Sequence, residues 1–294
     1  MDLFLQHLVN ALSLGGIYAL LALGLALVFS IMGLINFAHG ELMTIAAYGL
    51  LLGAAAGAPF ALAVLLAVAL AAAAALAMER IAFRPVRGAS PATLLLTSFA
   101  VSALLQVLFQ NFIASRPLPV AVPPMLTGTL DLGGLRLGVL PLVTILSTAL
   151  LLFALTLFLR RTPIGIAMRA AAIDFEMARL VGIRANAVVA VAFALSGVLA
   201  GIAAVFWVAQ RGSVDPMMGF LPVLKAFIAV IVGGLGSLSG AVAGAFLLAF
   251  IEVALRAGLP PSLMPFREAL ALAVIILVLL VRPQGLFGRA EAVR

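Results

Sequence analysis

AVVAVAFALSGVLAGIAAVFWVA, residues 187–209, carries no charged side chain and is long enough to cross a bilayer as a helix; a spanning helix needs about 20 mostly apolar residues. Runs of the same kind recur at 8–31, 41–57, 60–78, 91–110, 139–159, 221–235, 240–256 and 268–281. Several are short or interrupted by glycine, so the expected fold is an all-α polytopic membrane protein, a bundle of about 8–10 transmembrane helices. Composition agrees. The chain is 66% hydrophobic and 9% charged, against about 25% charged in a soluble domain. A surface this apolar suits lipid and not water. The longest polar stretches amount to about one loop each, so residues 1–294 read as a single membrane domain. The N-terminal MDLFLQHLVN lacks a basic region and a small-residue cleavage site, so no removable signal peptide is expected.

The net charge of +7 does not point to nucleic acid, because the cations sit in short runs between apolar segments. Arg80, Arg84 and Arg87 form one group. Arg160, Arg161, Arg169, Arg179 and Arg184 form a second, and Arg282, Arg289 and Arg294 a third. Positive residues stay on the cytoplasmic side, which places 79–90, 160–186 and the C-terminus there. Two crossings separate the first two groups and four separate the second from the third, so the parity is consistent. Nine helices put the N-terminus outside; a re-entrant segment near 32–57 would reverse that. The stretch 111–138 is the longest external loop. Its Pro117, Pro119, Pro123 and Pro124 oppose a regular helix, and Gly133-Gly134 marks a turn.

Charged and polar groups inside apolar runs are costly and therefore informative. Asn36, His39 and Glu41 fall together in NFAHGE, between two apolar runs. Lys225 opens the run at 221–235, and Glu252 lies near the end of 240–256. Asn36, His39, Glu41 and Lys225 are the expected polar groups of a solute path. The alternative for Lys225 and Glu252 is snorkelling to the interface, and for 36–41 a short turn capping a new helix. Gly197 and Gly201, and likewise Gly236, Gly240 and Gly244, recur at spacings of four. Each set reads as one small face where helices pack closely.

Residues 160–186, RRTPIGIAMRAAAIDFEMARLVGIRAN, read as a short amphipathic helical region ending in a glycine turn at the membrane edge. Asp174 and Glu176 stand among five arginines. The segment is too small to fold alone and too decorated for a plain connector. It is expected to be a docking surface for a soluble partner, with anionic lipid as the alternative. There is no cysteine, no phosphate-binding G-x-x-x-x-G-K-[ST] loop and no H-E-x-x-H; His7 and His39 are the only histidines. No metal cluster, cofactor or catalytic constellation can be placed. If ATP drives this chain, another chain binds the nucleotide.

NFAHGELMTIAAY (36–48), ERIAFRPVRGAS (79–90), MRAAAIDFEMARLVGI (168–183), VIVGGLGSLSGAVAGA (230–245) and LVLLVRPQGLFGR (277–289), in that order along nearly the whole chain, resemble the membrane permeases of branched-chain amino acid ABC importers. The resemblance is closer to the LivH-type subunit than to its LivM-type sister. It implies a permease subunit in the inner membrane that performs no chemistry of its own. The implied partners are a sister permease, two cytoplasmic ATP-binding subunits and an external solute-binding protein. It also implies that 160–186 is the coupling loop. The family pattern E-A-A-x-x-x-G falls on Glu176 to Gly182, with Met177 in place of the first alanine. On this reading Ala178 and Gly182 share a face that enters an ATPase cleft, and Arg169, Asp174, Glu176 and Arg179 supply contacts and specificity at its rim. The family also carries urea and short amides, so those remain alternative solutes. A secondary transporter or channel would show ionisable residues deep in several helices and leave 160–186 without a purpose. An intramembrane enzyme built on His39 and Glu41 would need a third group that the sequence does not offer.

Overall fold

The computed structural model describes residues 2–132 and 135–288; the turn at Gly133-Gly134, Arg289 and Arg294 lie outside the described residues. Helix α1 (Asp2–Met32) leads through a break to α2 (His39–Ala55). Helix α3 (Phe60–Met78) runs on through a π turn (Glu79–Phe83), and α4 (Pro91–Phe112) follows. The next loop holds β1 (Leu118–Pro119), the single-turn α5 (Pro124–Thr127) and the antiparallel pair β2 (Thr129–Leu132) and β3 (Leu135–Gly138). Then come α6 (Val139–Arg161), α7 (Pro163–Ile173), α8 (Phe175–Leu180), α9 (Ala185–Arg211) and β4 (Ser213–Val214). The chain closes with α10 (Phe220–Gly233), α11 (Leu238–Gly258), a 3-10 turn (Pro261–Phe266) and α12 (Arg267–Val281).

All nine apolar runs have become helices. Seven are long and apolar enough to cross a membrane; α2, with 17 residues, and α10, with 14, are shorter. The short pair shares a cause. The first residues of α2 are buried inside the bundle, and there Gly40 meets Gly219, the residue before α10; a Cβ on Gly40 would lie 2.5 Å from the Gly219 carbonyl oxygen. Both helices therefore begin at one backbone-to-backbone contact that only glycine permits.

The bundle is built around α1 and α9. In α1, 83% of the apolar window is buried, and in α9 67%, against 22% in α3, α4 and α6 and 11% in α12. The outer helices leave one broad apolar face outward, which in a bilayer is lipid-compatible. The two ends of the bundle differ. Arg87 Nη1 donates to Asn186 Oδ1 at 2.8 Å, so the loops 84–90 and 180–186 meet. Arg160, Arg169, Leu238 and Ser239 line one cavity, which brings the start of α11 to the same end. Backbone N–H groups of Leu286 and Phe287 donate to the carbonyls of Val232 and Gly233, so the segment after α12 lies there too. At the opposite end β1 pairs with β4, and Ser13 and Tyr18 of α1 share a cavity with Gln210 and Arg211. Residues 2–18 therefore start at the end away from the basic loops. The chain reverses direction at the break 33–38: α1 runs toward the basic end, and α2 runs back to the far end and turns into α3 there, with Gly53 against Ala63.

The glycine positions divide. A Cβ on Gly197 would lie 2.6 Å from the Ala71 carbonyl oxygen, and one on Gly201 3.0 Å from Val68 Cα, so both fit α9 against α3. Gly240 and Gly244 press on the backbone of Gly233 and Ala229 in α10. Gly236 does not belong to that stripe. It sits in the turn before α11 with φ +85° and nothing within 4 Å of a Cβ. Its role is to supply a left-handed backbone, which costs glycine nothing. Gly197→Leu should overpack the α3–α9 contact, at a cost of about 1–3 kcal/mol. Thermal unfolding of the purified protein should show a lowered midpoint for it and an unchanged one for Gly258→Ala, where a Cβ meets open space. Equal midpoints would place lipid, and not α3, against Gly197.

Candidate functional site: two buried polar clusters and a basic end

The break between α1 and α2 is held by α4. Ser98 Oγ accepts the Phe37 N–H at 3.3 Å and can donate to the Ile35 carbonyl at 3.2 Å. Backbone without helical bonds survives at membrane depth only where protein satisfies it, and Ser98 does so here. One turn further along α4, Ser102 donates to Glu41 Oε1 at 3.0 Å; a further turn on, Gln106 Nε2 donates to the same oxygen at 2.8 Å. Glu41 is 1% exposed and its Oε2 has no partner. His39 is fully buried, with Nδ1 2.9 Å from Ser196 Oγ of α9 and its ring against Gly24 of α1. Asn36 reaches only Met78 Sδ, at 3.9 Å. The three residues thus lie in one buried band where α1, α2, α4 and α9 meet. Ser98, Ser102 and Gln106 escaped the sequence reading, although hydroxyl and amide groups at steps of four in an apolar helix are a legible polar stripe.

Lys225 belongs to a different cluster. Its Nζ lies 2.9 Å from Glu252 Oε1 and 3.3 Å from the Tyr18 hydroxyl, which donates to Glu252 Oε2 at 3.0 Å. Glu268 stands 3.7 Å from the same ammonium and 3.9 Å from Arg267. This network joins α1, α10, α11 and α12 and lines a cavity of about 470 Å³. A pairing of Glu41 with Lys225, which their shared cost in lipid suggests, does not occur; each charge has found partners on other helices. Glu252 is buried within the network.

At the basic end, 160–186 forms two helices and not one. Thr162 caps α7 through the Gly165 N–H, and Asp174 caps α8 through the Met177 N–H at 2.9 Å. Asp174 is therefore spent on starting α8. The expected shared face of Ala178 and Gly182 is corrected. Ala178 is 5% exposed and turned into the protein, and Gly182 lies beyond the helix with φ +89°. The outward surface consists of Ile173, Met177, Leu180 and Val181, with Leu180 80% exposed. Glu176 and Arg179 line a groove of about 850 Å³ with Arg84, Arg87 and Arg184. Arg84 and Arg87 are both held by Glu79, 1% exposed in the π turn. Burial lowers the Arg87 guanidinium from its ordinary pKa, and Glu79 opposes that shift. Arg169 is not at this groove but at the separate cavity beside Arg160 and Ser239. Among the described residues no group of three His, Cys, Asp or Glu side chains is arranged to hold a metal.

The profile of the family described as "Branched-chain amino acid transport system / permease component" matches residues 7–281. The chain belongs to this family. The high-affinity branched-chain amino acid transport system permease protein BraD of Pseudomonas aeruginosa is 36% identical over 98% of the chain and 97% of its own length. LivH of Escherichia coli K12, named for the same transport system, is 34% identical over 98% of the chain and 96% of its own length. The autoinducer 2 import system permease protein LsrC of Photorhabdus laumondii is 30% identical over only 37% of the chain. The protein is a multi-pass membrane permease, and its relatives are transport subunits.

The permease's two clusters are separate, which a double-mutant analysis can read. Lys225→Met and Glu252→Gln should each lower thermal stability, and the double change should cost less than the sum, with a coupling of about 0.5–3 kcal/mol. Lys225→Met combined with Glu41→Gln should instead add. Additive losses at 225 and 252, or strong coupling between 41 and 225, would contradict the two-cluster description.

Proposed function

We propose that this permease is the membrane subunit of an ATP-driven importer of branched-chain amino acids in the inner membrane. The observation that carries the reading is identity along 98% of the chain to BraD and LivH, proteins named for branched-chain amino acid transport. ATP is bound and hydrolysed on two partner subunits, and a sister permease completes the path. An external solute-binding protein delivers cargo to the end where α1 begins. The basic loops and the segment after α12 face the cytoplasm, in keeping with the distribution of arginine. Asn36, His39, Glu41 and Lys225 serve the transport cycle. The first three do so by holding the broken start of α2, since they are buried and not open to a passage.

Helix α8 is the piece that engages the ATPase. An apolar edge of Ile173, Met177, Leu180 and Val181 stands out from the basic end, uncovered by the described residues. Two arginines and a glutamate flank it: Arg179, Arg184 and Glu176. A soluble protein groove of matching shape would bury that edge. Gly182 lets the chain leave α8 at φ +89°, with the Ile183 N–H returning to the Ala178 carbonyl at 3.0 Å. A leucine at 182 would strain that exit and turn the edge away. Gly182→Leu should reduce uptake by about tenfold or more, with membrane insertion intact and less ATPase recovered on co-purification. Normal uptake with normal ATPase recovery would remove α8 from the docking role.

A further inference from the structure

We propose that the cavity between α1, α6, α7 and α11, at the basic end of the bundle, holds one anionic phospholipid, with an acyl chain along its leucine floor and the phosphate at Arg160, Arg169 and Ser239. The inference goes beyond the import reading and does not rest on it; it needs only a chain that spans a bilayer. The cavity measures about 520 Å³, within the range of about 300–1,000 Å³ typical of ligand sites. Its floor is Leu23 of α1 with Leu155 and Leu159 of α6, all buried, and Leu152 and Val242 continue it. Thr156 spends its hydroxyl on the Leu152 carbonyl at 2.7 Å and so adds no polar demand. The polar groups gather at one end. Arg160 lies in the last turn of α6, Arg169 comes from α7, and Ser239 stands in the first turn of α11.

Both arginines are exposed, as groups that meet an interfacial headgroup must be, and neither has a carboxylate partner among the described residues. No carboxylate lines the cavity. Elsewhere the permease answers its own cations: Glu176 lines the groove beside α8, and Glu252 and Glu268 line the cavity at the far end. At Arg160 and Arg169 the charge is left for a ligand. Guanidinium groups bind phosphate oxygens strongly, and basic pockets between membrane helices take anionic headgroups. The layout also has the order of a phospholipid. Leu152 lies about 12 Å from Arg160 along α6, at about 1.5 Å per residue, close to the roughly 15 Å of hydrocarbon in one leaflet. A free anion would use the cationic rim and leave the leucine floor empty.

Native mass spectrometry tests the site on the full chain, alone and with the subunits that co-purify with it. Delipidated protein in detergent would be titrated with phosphatidylglycerol, with phosphatidylcholine of the same acyl chains, and with inorganic phosphate. One phosphatidylglycerol per chain should be retained, at a concentration at least about tenfold below that for phosphatidylcholine. Arg160→Gln combined with Arg169→Gln should erase that preference. Arg161→Gln, the same change at the next residue but outside the cavity, should keep it. If the double variant fails to fold, Thr156→Trp, at an exposed position, keeps both arginines and fills the groove; it should weaken phosphatidylglycerol at least about tenfold. Equal retention of the two lipids, or as large a loss from Arg161→Gln as from the double variant, would mean ordinary boundary lipid and overturns the site. Inorganic phosphate held as tightly as phosphatidylglycerol would mean a bare anion site and overturns it too. So does a lipid held by the chain alone but lost in the co-purified assembly, which would give the groove to another subunit.

Discussion

A bilayer offers no water to a polar group, so every charge and every broken stretch of backbone within it must be satisfied by the protein itself. That constraint organises this permease. The chain gives up regular helix at 33–38 and places Glu41 just beyond, and both need α4: Ser98 closes the backbone, while Ser102 and Gln106 hold the carboxylate. It places Lys225 in α10 and must then bring Glu252, Tyr18 and Glu268 from three other helices. Each polar residue thus ties together helices that dispersion alone would hold weakly, since lipid tails are as apolar as leucine.

The same lack of a hydrophobic drive explains the small residues. Where lipid competes on equal terms, helices associate by close contact. Several such contacts here are glycine on backbone: Gly197 on Ala71, Gly240 on Gly233, Gly40 on Gly219. The last joins the starts of the two short helices, so the irregular regions of α2 and α10 are neighbours. Buried side chains of the first cluster surround one of them, and the charged network of the second grows from the other. Glycine contact and polar clusters are two parts of one arrangement, in which the interrupted helices lie inside and α3, α4, α6 and α12 turn apolar faces outward.

The helices themselves were legible because an apolar run of about 20 residues has few other uses. The ends of the bundle were legible from where arginine accumulates. Which face turns inward was legible on α4, from Ser98, Ser102 and Gln106 at steps of four, but not on the helices that are apolar all round. Hence Ala178 and Gly182, four apart, looked like one face, although Gly182 has already left the helix; and Gly236 looked like a packing residue, although it makes a turn. Partners were hidden for a related reason. Glu41 and Lys225 are the obvious opposite charges, but a buried charge is satisfied by whatever three-dimensional packing brings near it. For Glu41 that was a neutral stripe on α4, and for Lys225 a glutamate and a tyrosine on separate helices. Arg84 and Arg87 clamped on Glu79 are a local case, at separations of five and eight residues, legible only once the π turn is known.

The central claim is that the outward edge of α8 meets a nucleotide-hydrolysing partner on the cytoplasmic side. The chain contains no cysteine, so a single one at Leu180, the more exposed of the two outward apolar residues of α8, can carry a photo-crosslinker without competing sites. In the assembled transporter, within membrane vesicles of known orientation, illumination should join this residue to an ATP-binding subunit. The label should enter only from the cytoplasmic face. A crosslink to lipid alone, or labelling from the outer face, would contradict the account.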